Sequence, residues 1–386
     1  MAAGATSMPK RIALFLDGTW NTVRDDTNIW RMKALCPTSA DQIVYYSAGV
    51  GTQHGERIIG GMFGYGLDQE VIQAYQWLSE NYEPEDRLYI FGFSRGAFTA
   101  RSLAGLISKC GLLKAGSPVS LSQLYDRYRK GEAVHTIREL ANVARGELTF
   151  EEKWLLEYSM PIPIFFQGVY DTVGALGVPF GNIPIVSRSD YSFLETDLRI
   201  NETYAFHALA IDEHREAFAP TLWRKSVQKD VATYGPRPLD QVEQRWFVGA
   251  HADVGGGYSN GLLAQVPLHW LMQKAQTHGL VFKGTVVIDG DEAQADVHDS
   301  FAMMAGGVYR ALKFFRPYYR AIGTKPAVTG DVTTSTINET LDASVFDRCR
   351  GNASYRPKNL LDWAGSRDLG AIRSSVRADD PTVAVP

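Results

Sequence analysis

The run Ile90-Phe91-Gly92-Phe93-Ser94-Arg95-Gly96 constrains this chain more than any other feature, because its serine has glycine at both second neighbours. Residues 88–91 supply a short apolar run suited to a buried strand. Residues 97–110 follow with Phe98, Leu103, Ala104, Leu106 and Ile107 at helical spacing. A serine between a strand and a helix sits on a sharp, strained turn that projects its hydroxyl above the sheet. Side chains at 92 or 96 would collide with the neighbouring strand or helix, and glycine removes the collision. The pattern therefore predicts a nucleophile elbow at Ser94.

The rest of the chain alternates strands and helices, which points to a mainly parallel central sheet with helices on both faces, an α/β-hydrolase-like architecture. Strands are expected at 11–17, 42–48, 162–170 and 245–250. A glycine-rich apolar loop at 49–66 leads into an amphipathic helix at 67–82 with Leu67, Val71, Ala74 and Leu78 on one stripe. Residues 112–160 look wholly helical and read as a cap inserted over the active face, and 262–277 as a long helix. The catalytic unit is expected to span 10–320, and 321–386 to form a partly irregular C-terminal extension. Its Thr/Val-rich stretch 325–340 suits a hairpin, and its polar tail covers 375–386.

Composition narrows the class. Of 386 residues, 45% are hydrophobic and 21% charged, the balance of an ordinary globular chain with ample core. A net charge of −4 with no basic run argues against nucleic acid as a partner. Cys36, Cys110 and Cys349 are odd in number and form no C-x-x-C pair, so they read as reduced thiols, not as a disulfide framework or a zinc site. The first ten residues lack an apolar signal core and no run approaches 18 apolar residues. Cytoplasmic synthesis without a spanning helix is the expectation, and export by a route that reads no cleavable signal is compatible with it.

A serine hydroxyl needs a base within hydrogen-bond reach and an acid that orients the base. Two other expected strands end in polar, glycine-rich loops, one placing Asp171 and the other placing His251 and Asp253. Chain order is then Ser94, Asp171, His251, the order of α/β-hydrolases. His298 is a rival base and Asp253 the rival acid. The loop Asp17-Gly18-Thr19 is positioned to supply an oxyanion-hole amide from Gly18 or Thr19, complementing the amide of Arg95. A D-x-D-G-T phosphotransfer loop is excluded there, because Phe15 stands where its nucleophilic aspartate belongs.

Four blocks, Phe15-Leu16-Asp17-Gly18-Thr19-Trp20-Asn21, Gly92-Phe93-Ser94-Arg95-Gly96-Ala97, Gly168-Val169-Tyr170-Asp171-Thr172-Val173-Gly174 and His251-Ala252-Asp253-Val254-Gly255-Gly256-Gly257-Tyr258, resemble the signatures of the DUF2235 α/β-hydrolase family. That family takes in the Tle1 phospholipase effectors of type VI secretion, and the stretch from His207 to Glu213 is a weaker fifth match. The resemblance implies a lipid or other carboxylic-ester hydrolase with Ser94 as nucleophile, Asp171 as acid and His251 as base.

The expected chemistry is thus ester hydrolysis through an acyl-enzyme, with no metal or organic cofactor. One alternative is a metal-dependent phosphohydrolase built on Asp17, Asp171, Asp253 and His251. A second is a silent binding protein on a hydrolase scaffold. The expected partner is an ester or lipid substrate. Residues 58–66, where large apolar side chains are interspersed with glycine, either pack into the core or form an exposed lip through which transient contact with a membrane interface would run. The sequence specifies no oligomeric state.

Overall fold

The computed structural model describes residues 9–18, 26–49, 62–174, 198, 201–228, 237–323, 326–329, 331–374 and 382–385. Eight strands form the main sheet: β1 (Arg11–Leu16), β2 (Gln42–Ser47), β3 (Arg87–Phe93), β4 (Ile164–Tyr170), β5 (Glu202–Ala210), β6 (Val242–Phe247), β7 (Glu339–Asp342) and β8 (Thr382–Ala384). Their spatial order is β8-β7-β6-β5-β4-β3-β1-β2. Every described pair in the sheet is parallel except β7 with β8.

Strand order reverses between β1 and β3. The chain leaves β1 towards β2 through α1 (Asn28–Leu35), then crosses back through α2 (Met62–Asn81) to β3, on the other side of β1. Right-handed crossovers that run in opposite directions must cover opposite faces. Accordingly Ile29 and Met32 of α1 pack with Phe15, Phe91 and Phe166 on one face, alongside Leu268 and Leu271 from the helix Leu262–Thr277. Val71, Tyr75 and Leu78 of α2 pack with Ile12, Leu14 and Ile90 on the other, where Leu103 and Ile107 of α3 (Arg95–Cys110) join them. The crevice at the carboxyl ends of β1 and β3 is the place where such sheets bind ligands. Ser94 stands there.

The helical block at 112–160 does not roof that crevice. Its chain leaves from the C-terminal end of α3, at the opposite edge of the sheet, through a two-stranded antiparallel pair, Leu112–Leu113 with Ser159–Met160. Its helix Leu121–Arg129 lies along the outer side of α2 and α3: Tyr125 donates to Asp68 Oδ1 at 2.5 Å, and Tyr75 of α2 donates to the Gly111 carbonyl at 2.8 Å. The block is a flank on the outer side of the helices, and its Leu124, Tyr128, Leu140 and Leu155 extend the core cluster on that face of the sheet.

Upstream of residue 274, two strands of the main sheet depart from expectation. β6 begins three residues before the anticipated apolar run, with Val242-Glu243-Gln244-Arg245, and all four are buried. Glu243 lies 2.7 Å from Arg245 and 2.9 Å from Lys274, while Gln244 Oε1 accepts the Trp223 amide at 2.7 Å. A strand whose polar side chains are satisfied internally gives no apolar signal. β5 was likewise not anticipated, with His207 interrupting its apolar run. In 321–386 the expected hairpin is present as Ala327–Thr329 against Val332–Thr336. The segment also completes the main sheet with β7 and β8. α2 begins at Met62, five residues earlier than its apolar stripe indicates, because Gly64 and Gly66 weaken the helical pattern there.

Candidate active site

Ser94 follows the last residue of β3 and precedes the first of α3, with φ 58° and ψ −121°. This is the strained conformation that an elbow requires. Its amide donates to the Tyr170 carbonyl at the end of β4, 3.1 Å away, which ties the turn to the neighbouring strand. A methyl group on Gly92 would lie 2.5 Å from the Gly96 carbonyl oxygen, and one on Gly96 would overlap the Leu16 and Asp17 carbonyls. Both glycines are dictated by space.

Asp171, one residue beyond β4, and His251, four residues beyond β6 at the start of a five-residue helix, converge on the serine. Ser94 Oγ is 2.8 Å from His251 Nε2, and His251 Nδ1 is 2.5 Å from Asp171 Oδ2. With Asp171 ionised, Nδ1 carries the proton, leaving Nε2 to accept from the hydroxyl. Phe93 and Phe218 pack against the imidazole at ring-centroid distances of 4.7 and 5.0 Å.

Arg320 lies in no motif and was not anticipated. Its guanidinium is fully buried and grips the back of Asp171, Nη1 to Oδ1 at 2.6 Å and Nη2 to Oδ2 at 3.0 Å. Nη1 also donates to the carbonyl of Ala210 (2.7 Å) and Nη2 to that of Phe218 (2.6 Å). The Ala210 amide also donates to Asp171 Oδ1 at 3.0 Å. Burial opposes ionisation of Asp171, but the Arg320 charge and the His251 hydrogen bond outweigh it, holding the carboxyl well below the usual carboxylate range. His251 is pulled the other way. Burial lowers its pKa, and Asp171 offsets that only in part.

Two further side chains fix the loops. His207 accepts the Thr172 amide at Nε2 (3.1 Å), pinning the turn after Asp171, and burial together with the Arg101 charge drives its pKa down to about 3. It is a neutral structural histidine. Glu213 accepts the His251 amide at 3.2 Å and the Ser300 hydroxyl at 2.9 Å, with Arg215 at 2.7 Å.

The rival pair forms, but away from the serine. Asp253 Oδ1 lies 2.6 Å from His298 Nδ1, its Oδ2 accepts the Ala250 amide, and the His298 ring stacks on Tyr258 at 3.8 Å. The four residues of the metal alternative do not converge either. Asp17 is held by the Thr27 hydroxyl (2.6 Å), the Tyr46 hydroxyl (3.1 Å) and the Gly18 amide (2.7 Å), while Asp171 and Asp253 face Arg320 and His298. Among the described residues no three acidic, histidine or cysteine side chains form a candidate metal site. The Gly18 amide is therefore occupied by Asp17, and Thr19 lies outside the described residues. Arg95 opens α3, whose first-turn N–H groups point outward along the helix axis. All three cysteines are buried free thiols, and among the described residues no helix is long and apolar enough to cross a membrane.

Sheet, elbow and serine–histidine–aspartate geometry together define an α/β-hydrolase-type protein. A family model for the catalytic domain of Tle1-like phospholipase effectors of type VI secretion matches residues 10–274, and the chain belongs to that family. An uncharacterized protein of Saccharomyces cerevisiae, YEL023C, is 30% identical over 233 residues, covering 55% of this chain but only 32% of the yeast protein. This chain thus matches about a third of that relative. Among solved structures, an uncharacterized protein from Pseudomonas aeruginosa aligns with 78% of this chain and 51% of its own length at 19% identity and TM-score 0.44. The Tle1 effector bound to the VgrG spike of a type 6 secretion system aligns with 82% of each chain at 16% identity and TM-score 0.41.

Proposed function

We propose that this chain hydrolyses carboxylic esters of lipids, with Ser94 as nucleophile, His251 as general base and Asp171 as the acid that orients it. The supporting observation is the unbroken hydrogen-bonded chain Ser94–His251–Asp171, at 2.8 and 2.5 Å. His251 Nε2 takes the Ser94 proton as Oγ attacks the ester carbonyl. The imidazolium then protonates the leaving alcohol, and a water activated by the same nitrogen releases the acyl group. The Arg95 amide faces the developing oxyanion. Its partner comes from the loop after β1. Gly18 would have to surrender its bond to Asp17, which favours Thr19. Membership of a phospholipase family supports a lipid ester as the substrate class.

A fluorophosphonate probe tests the reading directly. It should label wild-type protein at Ser94 alone, fail to label Ser94→Ala, and lose most of its rate on His251→Ala. Labelling that persists in Ser94→Ala would reject the assignment. Exhaustive dialysis against EDTA should leave ester turnover unchanged, whereas loss restored only by a divalent ion would favour the metal reading.

A further inference from the structure

Residues 303–323 contain four basic side chains, Arg310, Lys313, Arg316 and Arg320, and no acidic one, in a chain whose net charge is −4. Within this stretch the short helix Val308–Leu312 and the turn after it expose Val308, Leu312, Phe314 and Phe315. Phe314 is 83% exposed and Phe315 62%. Exposed aromatic rings in a group are unusual on a soluble surface and mark a place where something else docks.

The exposure is built into the backbone. Phe314 and Phe315 both adopt left-handed conformations, with φ of 51° and 58°, which non-glycine residues rarely take. Backbone bonds hold the turn closed: the Phe314 amide donates to Ala311, Phe315 to Arg310 and Arg316 to Lys313, at 2.9–3.0 Å. Two strained residues thus hold their rings in water, and Arg310 lies 5.3 Å from the Phe315 ring. On the inward side Tyr309 is buried and the Tyr318 amide donates to the His214 carbonyl, while at the surface Lys313 pairs with Glu216 at 2.8 Å. Those anchors are the 214–218 segment that carries Phe218 against His251. Arg320 is five positions past Phe315, so at most about 18 Å of chain links the tip to the residue that grips Asp171.

Resting on the hydrolase reading above, we infer that this tip is the docking surface for an anionic lipid bilayer. Phe314, Phe315, Val308 and Leu312 enter the acyl region, while Arg310 and Arg316 meet the phosphates. Charge selects this occupant: apolar side chains ringed by cations, on a protein of opposite net charge, match an anionic interface. Size argues against a second copy of the chain, since four side chains offer a few hundred Å², well under the roughly 800 Å² per partner of a stable protein interface.

Ether-linked vesicles, which resist hydrolysis, provide the test: one set of equal parts phosphatidylglycerol and phosphatidylcholine, the other phosphatidylcholine alone. The full chain should sediment with the anionic set. Phe314→Ser/Phe315→Ser should lose about 10- to 100-fold in partitioning to it. Arg310→Gln/Arg316→Gln should lose the preference for anionic over zwitterionic vesicles. Both variants should keep the wild-type melting temperature and turnover of a soluble short-chain ester. Because the native thiols are buried, a fluorophore attached at Phe314→Cys reports on the tip in an otherwise intact protein, and its emission should shift to the blue on anionic vesicles. Unchanged partitioning in the phenylalanine variant, or no spectral shift, overturns the inference. So does a dimer in sedimentation equilibrium that the phenylalanine variant abolishes. Vesicle binding by the tip with no ester turnover would reject the hydrolase reading and leave the docking surface standing. Ester turnover without vesicle binding would do the reverse.

Discussion

Arg320 reaches Asp171 from 149 residues further along the chain, and the pair is fully buried on both sides. Removing one partner of such a pair strands the other charge, at a cost of about 3–5 kcal/mol. Arg320→Gln should therefore lower the melting temperature sharply. Asp171 is held below its unfolded pKa, so its contribution to stability is present above about pH 4 and is lost as pH falls through the folded value. Without the Arg320 charge the folded pKa rises, the contribution shrinks, and the acid-unfolding midpoint should move to higher pH; an unmoved midpoint would show that Arg320 does not hold Asp171 ionised. His251 makes a separate forecast. Its pKa is depressed, so kcat/KM should fall on the acid side with a midpoint below about 6.5. Asp171→Asn removes the group that raises it and should push that midpoint lower still, with turnover down by roughly 10² to 10⁴. A midpoint that moves upward would contradict this coupling. Ser94, Asp171 and His251 were legible because each follows a strand within a local motif. Arg320 was not, because its role lies entirely in a contact that no neighbouring residue announces.

At the scale of elements, the elbow works because β1, β3 and α3 approach one another too closely for side chains at two positions. Gly96→Ala would press a methyl group into the Leu16 and Asp17 carbonyls, which are backbone atoms fixed by pairing with β2 and β3. It should cost several kcal/mol, about 3 or more, and yield little soluble protein. Gly146→Ala, in the flanking helical block, meets nothing within 4 Å and should change stability by less than about 0.5 kcal/mol. Comparable melting temperatures for the two variants, read by circular dichroism, would remove the steric account of the elbow. The block also shows where pattern reading stops. Its capping boxes at Ser120, Thr136 and Thr149 announce helices accurately. Nothing local states that the chain enters it from the far end of α3, and that point of entry places it on the outer side of α2 and α3. The apolar stretch at 58–66 was expected either to pack into the core or to meet lipid. Residues 58–61 lie outside the described residues, as do the side chains of 62–66, and the exposed tip that the structure does describe was not anticipated.

Across the whole molecule, the match to the family's catalytic domain ends at residue 274, yet the sheet and the site both continue past it. β7 pairs parallel with β6, and Glu339 accepts from the Trp246 indole at 2.9 Å while Asp342 meets Arg245 at 3.3 Å. Leu341, Val345, Phe346 and Leu360 pack with Leu209, Leu222 and Trp246 in a third core cluster. Residues 321–386 escaped recognition as part of the sheet because β7 and β8 are four and three residues long, too short for periodicity to register. Two truncations separate the contributions. A chain ending at Lys274 loses Arg320 as well as both strands, leaving the Asp171 charge without its cation and β6 as an open edge. It should be insoluble or bind hydrophobic dyes, and should not react with fluorophosphonate. A chain ending at Ile322 retains Arg320 but still exposes Trp246 and Leu209, surface whose burial is worth several kcal/mol at about 1.5–3 kcal/mol per large side chain. It should express poorly, and any soluble fraction should melt well below the full chain while retaining some probe labelling at Ser94. If the chain ending at Lys274 folds, melts like the full-length protein and labels at the same rate, then the last third is an appendage and the roles given to Arg320, β7 and β8 are wrong.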